Sequence, residues 1–161
     1  MNGEREVPWD ARGPGDEPEK AAVPSRPEKP PGAGPARGVP RNAAAARDIV
    51  TRLLEAQFCG LSGEGPADVV VADALLVTSE LVTNAVKHGG GLTGFTAEIV
   101  DGGLLVTVED ASTQPPITTE RDPAVASVGG YGWLLVRRLT KRVSVTYRPG
   151  GKSIAALIAL T

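Results

Sequence analysis

Cysteine, histidine and any excess of one charge are nearly missing from this chain, and each lack removes a class of function. A single cysteine, Cys59, among 161 residues excludes an internal disulfide and a thiolate metal cluster. A single histidine, His88, excludes a zinc site built from several imidazoles. Seventeen basic residues face 19 acidic ones, giving a net charge of -2 and a pI near 5.5. That balance carries no polyanion footprint, so no direct contact with nucleic acid is expected. No apolar run is expected to approach the roughly 18 residues that cross a bilayer, and Met1-Asn2-Gly3-Glu4-Arg5-Glu6 lacks the basic-then-apolar order of a secretory leader. The expectation is a soluble cytoplasmic protein with no membrane partner.

Proline, by contrast, is concentrated. Residues 1–40 hold nine of the 14 prolines, with six basic and seven acidic side chains and little that is apolar beyond Val7, Trp9, Val23 and Val39. Such a segment buries too little surface to offset its chain entropy, so 1–40 is expected to be a disordered tail, passive or a docking arm around Trp9. The length then suits one domain over 41–161.

Within that domain the hydrophobic period changes twice. Asn42 is a fitting N-cap for a helix over 43–58, where Ala46, Ile49, Val50, Leu53 and Leu54 share a stripe. Gly60 stops that helix, and a loop over 61–66 leads to a second one from about Ala67 to His88. On its wheel Leu75, Val82 and Val86 lie on one side, opposite a polar arc of Glu80, Thr83, Asn84, Lys87 and His88. Alternation over 95–100 and 104–109 predicts two strands joined at Asp101-Gly102-Gly103. A long proline-bearing loop over 110–128 precedes a helix over 131–139. Two more strands, over 142–147 and 153–160, meet at Pro149-Gly150-Gly151. This order predicts an α+β two-layer sandwich, with helices on one face of a mostly antiparallel mixed sheet. The stretch before the first helix, Pro35 to Pro40, offers no convincing strand.

The chemistry concentrates in Ser79-Glu80-Leu81-Val82-Thr83-Asn84-Ala85-Val86-Lys87-His88-Gly89. Spacing of four puts the Glu80 carboxylate and the Asn84 carboxamide one helical turn apart, where they suit a divalent cation and a polarised hydroxyl. By pattern alone a solvated helix face explains them as well, although asparagine is a poor helix-interior residue. Gly129-Gly130-Tyr131-Gly132 precedes a helix and suits close approach of an anion, or is simply a flexible lead-in. Tyr131 and Trp133 read as packing residues. Asp110 ends a strand, where it starts a turn or accepts from an exocyclic amine. Gly150-Gly151-Lys152-Ser153 lacks the spacing of a phosphate loop and reads as a hairpin turn.

Taken together, these motifs resemble the GHKL ATPase superfamily, whose Bergerat fold is shared by histidine kinases and gyrase, and within it the anti-sigma-factor serine/threonine kinases. Residues 79–89 look like its N-box, Val108-Glu109-Asp110 its first glycine box, and Gly129 to Val136 its second. The resemblance implies ATP and Mg²⁺ as cofactors. It implies Asn84 as the Mg²⁺ ligand, Glu80 as general base toward a protein serine, and Asp110 as reader of the adenine amine. Gly130 and Gly132 would wrap the phosphates beneath a lid over 113–128. It further implies a sigma factor or an anti-sigma antagonist as partner, with dimerisation common among such proteins. The run Asp110-Ala111-Ser112-Thr113-Gln114 departs from the family in having no glycine after its aspartate. That departure keeps open a second expectation, a binding module that sequesters a regulator without ATP turnover.

Overall fold

The structure, a computed structural model, describes residues 5–8, 36–58, 66–116 and 131–161. Their order is β1 (Arg5–Pro8), β2 (Ala36–Gly38), α1 (Ala43–Phe58), α2 (Asp68–His88), β3 (Leu92–Val100), β4 (Gly103–Asp110), α3 (Tyr131–Leu139), β5 (Arg142–Arg148) and β6 (Gly151–Ala159). The strands form one sheet in the order β1-β5-β6-β4-β3-β2, and every pairing among them is antiparallel. The three helices pack on one face, α1 against β3 and α2 against β4 and β6, with α2 between α1 and α3. This is the α+β architecture expected, without the parallel pair that a mixed sheet implies.

Local chemistry explains most element ends. The Asn42 Oδ1 accepts from the Ala45 N–H at 2.9 Å, capping α1 as expected. Gly90, with φ of 69°, turns the chain after α2 in the left-handed region, and the Gly91 N–H reaches back to the Ala85 carbonyl. Gly102 and Gly150, at φ of 69° and 80°, supply the positive φ of the two hairpin turns. The proposed stop at Gly60 and the loop after it lie outside the described residues, as does Cys59.

Alternation puts Leu104, Val106 and Val108 of β4 beneath the helices, with Ile154, Ala156 and Ile158 of β6 beside them, all buried. From α2 the buried set is Ala74, Val77, Thr78, Leu81, Val82 and Ala85. Val86, expected on the apolar side, is 52% exposed. The sheet meets the arc through Val77, Leu81 and Ala85, and Val86 lies a full 100° around from Ala85. This helix also corrects the expectation that no segment is long and apolar enough to span a bilayer. Its 21 residues reach a mean hydropathy of 1.6 over their best window. Packing accounts for part of the hydropathy, since α2 is the central helix of the layer and covers the sheet with one face, 33% of that window being buried.

Two strands arise where none was expected. Arg5–Pro8 pairs with β5 (Val7 opposite Val145), and Ala36–Gly38 pairs with β3 (Gly38 opposite Phe95). Both are edge strands. Pro8 ends one, and the other fits between Pro35 and Pro40, so the prolines withhold no ladder hydrogen bond from the interior of the sheet. The sheet therefore draws on the first forty residues, which were expected to be tail throughout.

Candidate nucleotide site

Two carboxylates define the site, one on each side of the C-terminal half of α2. Glu80 and Asn84 are half-buried and one turn apart on its polar side. Gly132, in the first turn of α3, lies directly against the Glu80 Oε2, and a Cβ there would also come within 3.0 Å of the Glu80 Cδ. Helix packing thus brings the carboxylate to the N-terminal end of α3, where the positive end of the helix dipole favours an anion. Arg47 of α1 donates to the Ser79 Oγ at 2.9 Å, and that hydroxyl donates to the Leu75 carbonyl at 2.8 Å. These bonds tie α1 to α2 one residue before Glu80.

Asp110 is the second carboxylate. It ends β4 on the inward face and is 5% exposed. Its register partner on β6 is Lys152, which is 4% exposed. The Lys152 Nζ stands 2.9 Å from Oδ2 and 3.0 Å from Oδ1, and 3.4 Å from the Ser112 carbonyl. The Ser112 N–H closes a turn onto Oδ1 at 2.9 Å. From the other side, Gly89 at the end of α2 abuts the same carboxylate, and a Cβ on it would fall 2.5 Å from Oδ2. Tyr147 faces Lys152 across β5 and β6. Partial burial, and then the charge of Asp110, push its phenol above the ordinary 10.0.

Of the residues singled out in the sequence, Glu80 and Gly132 meet where α2 and α3 pack, Asn84 lies one turn further along α2, and Asp110 lies against Gly89 at the C-terminal end of α2. Gly130 and Gly129 lie outside the described residues, as does the lid beyond Pro116. Lys87 and His88 are exposed. Trp133 packs as expected, 3% exposed, with an indole N–H that has no acceptor among the described residues. Tyr131, expected to pack, is 65% exposed because it starts α3 on its outer side. A shallow groove elsewhere, lined by Gly38, Gly94, Thr96, Thr107 and Glu109, holds none of these residues.

Lys152 is the residue that motif reading missed. Its turn was read correctly, since Gly151–Ala159 is a strand and not a phosphate loop. The available signal was phase. Lys152 is two residues from Ile154 and four from Ala156, so alternation puts it on the core face, where a lysine needs a partner.

The donor set suits ATP and Mg²⁺. A buried carboxylate beside a bare glycine can accept from a base amine, and a carboxamide beside a carboxylate can hold a cation that phosphates share. Among the described residues no cluster of three metal-ligating acidic, histidine or cysteine side chains exists, and a cation bridged by phosphates needs none. No curated protein matches the chain. The histidine kinase-like ATPase domain matches residues 36–158, from β2 to within one residue of the end of β6. The chain belongs to the histidine kinase-like ATPase domain family, a family of ATP-binding domains.

Proposed function

We propose that the protein is an ATP-dependent serine/threonine kinase of the anti-sigma type, acting in the cytoplasm on transcription through partner switching. One observation carries the reading: the Glu80 carboxylate stands against Gly132, with Asn84 one turn along the same helix. A carboxylate so placed is a general base for an incoming hydroxyl. When bound, ATP supplies the phosphoryl group and its Mg²⁺ the charge neutralisation. The chain's part is to orient both and to take the proton. In the transfer, an acceptor serine Oγ bonds to the γ-phosphorus, the bond from that phosphorus to the ADP oxygen breaks, and Glu80 accepts the hydroxyl proton. Asn84 would hold the cation through its carboxamide oxygen, and Asp110 would accept from the adenine amine. The acceptor would be an anti-sigma antagonist, the other partner a sigma factor, and the protein a homodimer.

A second reading, a module that sequesters a regulator without turnover, is favoured by the loop after Asp110. There Ala111 and Ser112 replace glycine, and Ser112 folds back onto the carboxylate. Calorimetric titration with ATP, with and without Mg²⁺, separates the two. Magnesium-dependent binding that Asn84→Ala abolishes supports the kinase, as does loss of phosphotransfer with retained ATP binding in Glu80→Ala. Absence of binding at millimolar ATP refutes it.

A further inference from the structure

We propose that Lys152 is a positioning residue that sets base specificity by leaving Asp110 a single open acceptor position. The inference rests on the reading of Asp110 as the base contact. A carboxylate has about four lone-pair positions. On Oδ1 two are taken, by the Lys152 ammonium at 3.0 Å and the Ser112 N–H at 2.9 Å. On Oδ2 one is taken, by the same ammonium at 2.9 Å. The remaining position is on Oδ2, the oxygen that packs against Gly89, where the missing side chain lets the carboxylate sit against the end of α2. Lys152 itself has nothing to offer a ligand. Its ammonium nitrogen lies within 3.4 Å of three acceptors, Oδ1, Oδ2 and the Ser112 carbonyl, one for each of its donors, so it holds the reader and does not read.

A base approaching this carboxylate must present one N–H. An amino group at the purine 6-position does so, whereas an oxo group there would set oxygen against oxygen and be rejected. Lys152 also closes the turn over residues 110–112 by bonding Ser112, which gives a loop without glycines a fixed course.

The test compares ATP with purine riboside triphosphate, which lacks only the 6-amine, by calorimetry on the full chain. A hydrogen bond to a charged acceptor predicts that the chain as it stands prefers ATP by roughly tenfold or more. In Lys152→Met the carboxylate is freed from its rotamer and the preference falls at least about threefold, while purine riboside triphosphate binds within about twofold of its original affinity. The double variant Asp110→Asn/Lys152→Met carries no buried charge, so it is the form suited to folding, and its preference falls by the same measure. Retention of the preference in folded Lys152→Met overturns the role of Lys152 while leaving Asp110 as the reader, and retention in the folded double variant overturns the Asp110 carboxylate as the reader and Lys152 with it. Equal affinity for the two nucleotides in the unaltered chain overturns both. Failure to bind either nucleotide refutes the ATP reading itself.

Discussion

Two glycine-to-alanine changes, formally identical, are expected to do opposite things, because one obstructing carboxylate can move and the other cannot. An alanine Cβ at position 89 would lie 2.5 Å from the Asp110 Oδ2, 2.6 Å from Cγ and 2.7 Å from Cβ. Gly89 has an ordinary φ of -94°, so backbone strain is not at issue and the whole effect is steric. The Asp110 Cβ moves only with β4, and its carboxylate is pinned by Lys152 and Ser112. Relief therefore requires α2 to lift from the sheet or the ion pair to break, which puts Gly89→Ala near the top of the overpacking range, about 3 kcal/mol destabilising. At Gly132 the obstruction is the far end of Glu80, a long side chain on a half-exposed helix face that can rotate away. The substitution also gains about 1 kcal/mol of helix propensity inside α3, so stability should stay within about 1 kcal/mol of the parent. If Glu80 is the base proposed above, catalysis should not survive, since a base displaced by an ångström costs about a hundredfold in rate. Urea unfolding followed by circular dichroism gives the two stabilities at constant m, and phosphotransfer from ATP gives the rate. Equal stability losses would refute the distinction between a clamped and a mobile carboxylate. Full activity in a folded Gly132→Ala would refute Glu80 as the base.

Breaking the buried pair by Lys152→Met should cost about 3–5 kcal/mol in urea unfolding, and Asp110→Asn in the same chain should recover most of it; equal losses in the single and double variants would contradict a buried ion pair. Tyr147 has its phenol raised in the folded state, so the fold is favoured below the ordinary 10.0 and loses stability as pH climbs through that value toward the raised one. Tyr147→Phe should flatten the fall in urea midpoint between about pH 9 and 11 relative to the parent. Trp133→Phe sheds a buried unsatisfied donor along with some apolar area, so its midpoint should shift by less than about 1.5 kcal/mol, well short of the 3–5 typical of emptying an aromatic site. Asn42→Ala removes the cap of α1 and should cost about 1 kcal/mol, read in the same assay.

What could be read from the residues and what could not divides along the range of the forces involved. The cap at Asn42, the bounds of α3 and the two glycine turns follow from interactions within a few residues, and each appears where the sequence points. The strands Arg5–Pro8 and Ala36–Gly38 carry too few residues to show a period and are flanked or ended by proline. Only the exposed ladders of β5 and β3 make them strands. The pairing of Glu80 with Gly132 crosses 52 positions and depends on how α3 packs on α2, which no local pattern encodes. Asp110 and Lys152 are the intermediate case. Phase alone puts each on the inward face of its strand, but that they oppose one another is a matter of register between β4 and β6. A slip of one residue would turn every inward side chain of β6 outward and set Ser153 opposite Asp110 instead. The apolar row of Ile154, Ala156 and Ile158 forbids that slip, so the core of the sheet holds the lysine on the aspartate. The Asp110 end of the site thus takes its geometry from the hydrophobic alternation that folds the domain.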